Sequence, residues 1–116
     1  MSTELKKEYI MALMQITVIP MGTGSPSVGD HVAGIQRLLD KKNVVYQLCD
    51  MGTVIEGSPA ELLKLAAEIH EYPFSKGVKR VVSNIIIDDR RDKNIHIGDK
   101  TDAVLQRLKK FPVLGH

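Results

Sequence analysis

The stretch from Ile85 to Lys93 places three isoleucines directly before six charged residues. A row of β-branched side chains is typical of a buried strand, so the charges mark the point at which that strand leaves the core. Three aspartates stand against two arginines and one lysine, and their charges sum to zero. The stretch therefore predicts either mutually paired charges at the rim of a sheet or carboxylates that arginines hold in place to meet a ligand.

A second candidate for chemistry is the turn from Gly22 to Ser27, which is rich in glycine and hydroxyl side chains. Free backbone N–H groups at a helix start can bind a phosphate with the help of the helix dipole. The turn lacks the lysine of a P-loop, and Ser27 with Asp30 also matches a helix capping box. Phosphate binding and a simple capped turn are both open interpretations.

The histidines and serines give little support to metal binding or nucleophilic catalysis. The chain has four histidines, His31, His70, His96 and His116. Their spacing to one another and to carboxylates does not match a zinc site. Ser25, Ser27 and Ser58 precede predicted helices and are explained as helix caps rather than as nucleophiles. We therefore predict no metal, no cofactor and no catalytic residue.

Length and composition are typical of one soluble domain, with 116 residues, 43% of them hydrophobic and 26% charged. No apolar run approaches the roughly 20 residues that cross a bilayer. Residues 1–8 lack the apolar core of a signal peptide. We expect a single domain over residues 1–116, with 1–8 as a disordered tail, in the cytoplasm and without a membrane partner.

The distribution of charge and the single cysteine argue against two further classes of function. The net charge is only +2, and the lysines and arginines are spread along the chain, which argues against a nucleic-acid partner. Cys49 stands among Tyr46, Leu48 and Met51. We expect it to be a small buried hydrophobic residue rather than a catalytic thiol.

Hydrophobic periodicity predicts four strands and three helices. The strands are expected at 9–19, 44–50, 53–56 and 78–88, and the helices at 28–42, from 59 onward and from 101 onward. Pro20 should close the first strand, and Pro73 should kink or end the second helix near Tyr72. The third helix carries an apolar stripe of Val104, Leu105, Leu108 and Phe111.

The first predicted helix is amphipathic. Its apolar stripe consists of Val28, Val32, Ile35 and Leu39, and its opposite, polar face of Gln36, Arg37 and Asp40. The apolar stripe should pack on the sheet, while the polar face should meet solvent. A second Gly-Ser-Pro tripeptide at 57–59 marks the start of the next helix, with Ser58 as N-cap and Pro59 at the first helical position.

The order of elements is β-α-β-β-α-β with an added C-terminal helix, which predicts an α+β, ferredoxin-like fold with an antiparallel sheet. Both crossover helices then cover one face of the sheet and leave the other face open. That open face should carry Val82 and Ile86. An exposed apolar face of this kind indicates a partner or a ligand.

Three segments carry a resemblance to a known family. They are 16–28 (ITVIPMGTGSPSV), 51–57 (MGTVIEG) and 87–93 (IDDRRDK), and His70 between the last two also matches. In this order and spacing they resemble the thiamine-binding protein family, over roughly residues 10–110. The resemblance implies a ferredoxin-like protein that binds thiamine or its hydroxymethylpyrimidine half without catalysis, and that forms homotetramers or dimers by pairing sheets.

The chain departs from the family pattern at a few positions. A serine is usual at Gly29, a proline at Asp50 and a lysine at Ile86, while Ser83 and Asn84 replace a pair of threonines. We therefore expect the ligand to differ in detail if those threonines contact it in relatives. An enzyme or an enzyme-regulating subunit with the same fold is the alternative function.

The resemblance also suggests which residues bind the ligand, because thiamine joins a cationic thiazolium to an aminopyrimidine. The predicted ligand contacts are Thr17, Thr23, Ser27, Thr53, Glu56, Asn84 and Asp88. The two carboxylates would meet the cation or the amino group, or else form surface pairs with Arg90 or Lys93. The residues expected to be structural or to form the oligomer interface are Ile86, Asp89, Arg90 and Arg91.

Overall fold

Four strands and three helices follow one another in the computed structural model, which describes residues 10–23 and 28–110. They are β1 (Ala12–Met21), α1 (Gly29–Lys42), β2 (Val45–Cys49), β3 (Gly52–Gly57), α2 (Pro59–Ser75), β4 (Arg80–Asp88) and α3 (Asp99–Lys110). The sheet has the order β2-β3-β1-β4, and all neighbouring strands are antiparallel. The predicted ferredoxin-like α+β fold with an added C-terminal helix is confirmed.

One face of the sheet is covered by α1 and α2. Met14 of β1 lies opposite Ile55 of β3 and Ile87 of β4, and the first two of these are fully buried. Side chains alternate between the two faces of a strand, so every second residue of β1 joins this core. The helices add Ile35, Leu39, Leu62, Leu65, Ala66 and Ile69.

The opposite face, which we call the open face, carries Gln15 and Thr17 of β1 together with Val82, Asn84 and Ile86 of β4. Ile86 is 62% exposed, and Val82 is exposed as well. The prediction of an open face that carries Val82 and Ile86 is therefore confirmed. Neither α1 nor α2 packs against it, because both lie on the other side of the sheet.

The start of α2 follows the capping signal that the sequence predicts. Ser58 has extended backbone geometry, and its hydroxyl accepts a hydrogen bond from the Glu61 N–H at 3.3 Å. Pro59 occupies the first helical position, where a missing N–H costs nothing. The start of α1 differs, because its N-cap is Val28 and no side chain caps it. Ser27, the predicted cap, lies outside the described residues.

The sequence suggested that Pro20 closes the first strand, but the structure shows that it does not. β1 continues to Met21, and Pro20 lies opposite Val81 of β4. The pairing of β1 with β3 stops at Ile16, so β1 has a free edge beside Pro20. A proline is tolerated in a strand where that side has no partner for an N–H group. The prediction was wrong because Pro20 lies in a part of β1 that pairs with β4 alone, where the strand tolerates a proline.

Pro73 was predicted to kink or end the second helix near Tyr72, and an end there is wrong because α2 continues through Pro73 to Ser75. Pro73 is fully buried and stands in the last turn, where little helix remains for the proline to distort. The Pro73 carbonyl accepts hydrogen bonds from the backbone N–H groups of Lys76 and Val78. These bonds satisfy the helix end that the proline would otherwise weaken.

Two surface positions differ from expectation. Cys49 is exposed and not buried, because β2 is an edge strand and Cys49 pairs with Gly52 at its end. The apolar stripe of α3 is likewise exposed, and the helix has no buried residue. Phe111, the last predicted member of that stripe, lies outside the described residues.

Among the helices described, none is long and apolar enough to cross a membrane.

Candidate functional site

A cavity of about 340 Å³ opens between α1 and the ends of β1, β2 and β3. Its walls are apolar and include Ile16 and Val18 of β1, Val32 and Ile35 of α1, and Ile69 of α2. Pockets that bind small molecules are concave and mostly apolar, with a few polar groups that fix the orientation of the ligand. The polar groups of this cavity therefore decide what it can bind.

Gln36 of α1 and Thr53 of β3 supply the polar inner wall of the cavity. The Gln36 Nε2 donates a hydrogen bond to the Thr53 hydroxyl oxygen at 3.1 Å, and Thr53 is only 5% exposed. The Gln36 Oε1 is buried and has no hydrogen-bond partner among the described residues. A buried acceptor without a partner costs about 1–3 kcal/mol. A ligand that donates a hydrogen bond to this oxygen would recover that cost.

Gln36 corrects the prediction for the first helix, which placed it on the solvent face with Arg37 and Asp40. The side chain lies half-buried and contacts the sheet through Thr53. The spacing of the helix explains this, because Gln36 follows Val32 by four residues and precedes Leu39 by three. It therefore shares the edge of the apolar stripe, and this spacing was the available signal that sequence reasoning missed.

Thr17 holds the turn between β2 and β3 against β1. Its hydroxyl donates a hydrogen bond to the Met51 carbonyl at 2.8 Å. The next residue, Gly52, has a φ of +155°, and a Cβ at this position would lie 2.6 Å from the Thr17 Oγ1. Only glycine allows so close an approach. The turn that borders the cavity is thus fixed by this contact.

The entrance to the cavity is apolar and exposed. Four apolar residues that line it, Ile19, Val28, Leu48 and Met51, are all exposed, and Met51 reaches 81%. Asp50 lines the cavity from the same turn as Met51. Exposed apolar side chains grouped around a cavity favour contact with an organic ligand. The arrangement suits a ligand that buries one polar end beside Gln36 and leaves an aromatic or cationic end at the entrance.

Two of the predicted ligand contacts, Thr17 and Thr53, are among the residues that line the cavity, although their side chains lie on opposite faces of the sheet. Asn84 lies opposite Thr17 in the pairing of β1 with β4, on the open face. Thr23 lies exposed two residues after β1, and Ser27 lies outside the described residues. The roles of these residues in ligand binding stay predictions.

Glu56 and Asp88 lie far from the cavity, although both were predicted as ligand contacts. Each pairs in register with Leu13, four residues along β1 from Thr17, which corresponds to about 13 Å. Glu56 is bound within the chain, because its carboxylate accepts hydrogen bonds from the His96 ring at 2.9 Å and from the Ile97 N–H at 3.1 Å.

Asp88 is engaged in the same way, with the Lys100 Nζ at 2.8 Å from its carboxylate. The two carboxylates therefore anchor the segment that leads into α3. Ile95, in that segment, is buried. Neither carboxylate lines the cavity, and a ligand that used them would have to displace these partners.

The charged stretch after β4 is internally paired. Arg91 binds Asp89 at 2.9 Å, and Arg90 binds Asp92 through its Nε and Nη2 atoms. These bonds lower the pKa of the Asp89 carboxyl and bring the pKa of Asp92 to about 2. Of the two open interpretations of this stretch, mutual pairing is the one that the side chains adopt. The partners of each pair lie two residues apart within one chain.

The His96 pair predicts a pH dependence of stability. The hydrogen bond to Glu56 and then its charge raise the pKa of the His96 imidazole in the folded protein, with a smaller contribution from Asp99. A raised folded-state pKa adds stability below the ordinary pKa of about 6.5, and that stability is lost as pH rises through the raised value. The wild type should therefore lose more stability than His96→Gln between about pH 6 and about pH 8.5.

Thermal unfolding at the two pH values measures this difference. His31→Gln, on α1, serves as the matched control and should follow the wild type. Equal pH profiles for the wild type and His96→Gln would show that the ion pair contributes nothing to folding.

In residues 10–23 and 28–110, no group of three or more His, Cys, Asp and Glu side chains is arranged to hold a metal ion. Cys49, which lines the cavity, donates a hydrogen bond from its thiol to the Gln47 carbonyl, at 3.9 Å. The groups of the cavity are those of a binding site, with hydrogen-bonding groups inside and apolar surface around them.

Comparison with known proteins decides which family this is, because a model described as thiamine-binding protein matches residues 14–105. The chain belongs to the thiamine-binding protein family. The protein YqgV of Bacillus subtilis is 43% identical over 103 residues, which cover 85% of this chain and 99% of YqgV. A relative from Methanothermobacter thermautotrophicus is 36% identical over 99 residues, which cover 84% of this chain and 100% of that protein.

Two solved structures have the same fold as this chain. The protein MJ1052 of Methanocaldococcus jannaschii superposes with a TM-score of 0.73 and 33% identity, over 83% of this chain and 97% of that one. A Thermotoga maritima protein has a TM-score of 0.69 over 81% of this chain and 98% of its own, at 19% identity, which supports the fold alone.

Proposed function

We propose that the chain binds thiamine or its hydroxymethylpyrimidine half in the cavity beside Gln36, and that it does so without catalysis. The observation that carries the proposal is the buried Gln36 Oε1, which has no partner among the described residues. The family match supports thiamine as the ligand class. The Thermotoga maritima neighbour, named as a candidate thiamine biosynthesis/salvage protein, agrees with that class.

The chemistry of the aminopyrimidine fits the polar groups of the cavity. Its exocyclic amino group can donate to the Gln36 Oε1. The Thr53 hydroxyl accepts from Gln36, so its own hydrogen is available to a ring nitrogen of the ligand. The apolar walls then contact the faces of the ring. A volume of about 340 Å³ lies at the small end of the range for ligand pockets, which suits a ligand of this size.

This placement differs from the site expected at Glu56 and Asp88. Both carboxylates already have partners in the segment before and at the start of α3. The cavity, by contrast, offers an unpartnered acceptor and an exposed apolar entrance. We therefore assign Thr17 and Thr53, together with Gln36, to the ligand site and give Glu56 and Asp88 a structural role.

Isothermal titration of the purified protein with thiamine and with hydroxymethylpyrimidine tests the proposal. We expect both ligands to bind with one site per chain, and native mass spectrometry should recover the ligand unchanged. Absence of binding at millimolar ligand would contradict the proposal. Recovery of a ligand of altered mass would favour the alternative of an enzyme.

We also propose that the chain forms a homotetramer, or a dimer, through its open face in the cytoplasm. The open face carries exposed apolar side chains, and β4 is an edge strand with unpaired backbone groups. Ile86 is the most exposed isoleucine of that strand.

Light scattering at micromolar concentration measures the oligomer, and Ile86→Lys should shift it toward the monomer because a charge would be buried at the contact. Val104→Lys, on the surface of α3, is the matched control. A wild-type mass of 12.9 kDa in solution would contradict the oligomer.

A further inference from the structure

The cavity has an unbalanced set of ionisable side chains. Among the described residues that line it, Asp50 is the only one with a carboxylate, and none is a lysine, an arginine or a histidine. The charge that a ligand meets in the lining is therefore the single negative charge of Asp50.

The carboxylate of Asp50 is available to a ligand. It has no hydrogen bond and no ion pair within residues 10–23 and 28–110, unlike Glu56, Asp88, Asp89 and Asp92. Asp50 also stands next to Met51, whose side chain is exposed at the cavity entrance. Apolar surface around a charge lowers the local dielectric once a ligand excludes water, and this strengthens attraction to a cation.

We propose that Asp50 makes the cavity prefer the intact thiamine cation over the neutral hydroxymethylpyrimidine, an inference that rests on the proposed function. The pyrimidine would lie beside Gln36 and Thr53, and the thiazolium would extend to the entrance, where Asp50 and Met51 lie. Both ligands share the pyrimidine contacts. Only thiamine brings a permanent positive charge to the Asp50 carboxylate.

The same charge should act against phosphorylated ligands. A diphosphate at the end of thiamine would bring negative charge toward a lining in which the described part of the chain places no basic side chain. Thiamine should therefore bind more tightly than thiamine diphosphate. Asp50 is the carboxylate that lies in a position to produce this ranking.

Calorimetric titration of Asp50→Asn with thiamine and with hydroxymethylpyrimidine tests the inference. The variant should lose roughly 3- to 10-fold in affinity for thiamine and less than about 2-fold for hydroxymethylpyrimidine. Raising the ionic strength from about 0.02 M to about 0.5 M should weaken thiamine binding to the wild type more than to the variant, because salt screens the charge. Asp102→Asn, an equal change of charge on α3, is the matched control and should leave both affinities unchanged.

The outcomes separate this inference from the function on which it rests. If Asp50→Asn binds thiamine as tightly as the wild type does, Asp50 has no role in selection although the ligand class stands. If the variant loses both ligands equally, Asp50 supports the turn rather than the cation. If the wild type binds neither ligand, the proposed function itself is overturned.

Discussion

The double variant Gln36→Met/Thr53→Val is expected to bind thiamine and hydroxymethylpyrimidine at least about 30-fold more weakly than the wild type. The variant removes two hydrogen bonds to the pyrimidine, each worth about 1 kcal/mol, and 1.4 kcal/mol is a factor of ten in affinity. Methionine and valine resemble the replaced side chains in size, so the cavity should keep its shape.

The unliganded double variant should be as stable as the wild type or more stable. In the wild type the Gln36 Oε1 is buried without a partner among the described residues, and this costs free energy until a ligand binds. Removing both polar partners removes that cost, because no buried polar side chain of the pair remains. Loss of affinity together with unchanged or higher stability is the signature of a group retained for binding.

Single variants sharpen the test. Thr53→Val alone leaves the Gln36 amide without its partner and should destabilise the protein by about 1–3 kcal/mol. The second change, Gln36→Met, should then restore the lost stability. Urea unfolding measures the free energy of unfolding of each form, and calorimetry measures its affinity.

The matched control for the binding measurement is Gln106→Met on the exposed surface of α3. This control makes the same chemical change far from the cavity and should keep the wild-type affinity. A double variant that binds both ligands as the wild type does would place the ligand elsewhere on the chain.

Much of the fold could be predicted from the sequence because its signals are local. The Gly-Ser-Pro tripeptide at 57–59 marks the start of α2, and the capping contact of Ser58 follows from residues three positions apart. The alternation of Met14, Gln15 and Ile16 sets which face of β1 is buried, and the register agrees with it. Periodicity and punctuation of this kind depend only on neighbours along the chain.

The candidate site could not be predicted to the same extent, because its contacts join residues far apart in the chain. The Glu56 carboxylate binds His96, 40 residues later, and this pairing ties β3 to the segment before α3. Gln36 binds Thr53, 17 residues away, and so turns inward from a helix edge that polarity alone assigns to solvent. Such pairings depend on how the helices lie on the sheet, and residue type does not determine this.

The second large effect is expected from Gly52→Ala, because the backbone of the turn beside the cavity is restricted at this position. Gly52 has a φ of +155°, a region that side chains rarely adopt, and a Cβ would lie 2.6 Å from the Thr17 Oγ1 and 3.1 Å from the Ile16 carbonyl oxygen. Gly52→Ala therefore combines backbone strain with a clash against a neighbouring strand. We expect it to lower the free energy of unfolding by about 2–4 kcal/mol.

Gly22→Ala separates the two causes, because Gly22 also has a positive φ, +63°, but nothing lies within 4 Å of its Cβ position. This control should lose only the conformational cost, about 1 kcal/mol. Urea unfolding of both variants gives the difference between strain alone and strain with a clash. Gly52→Ala should also weaken thiamine binding, because the clash displaces the Thr17 hydroxyl from the Met51 carbonyl and moves the turn that carries Asp50. Equal losses of stability in the two variants would show that the contact of Gly52 with Thr17 does not fix the turn.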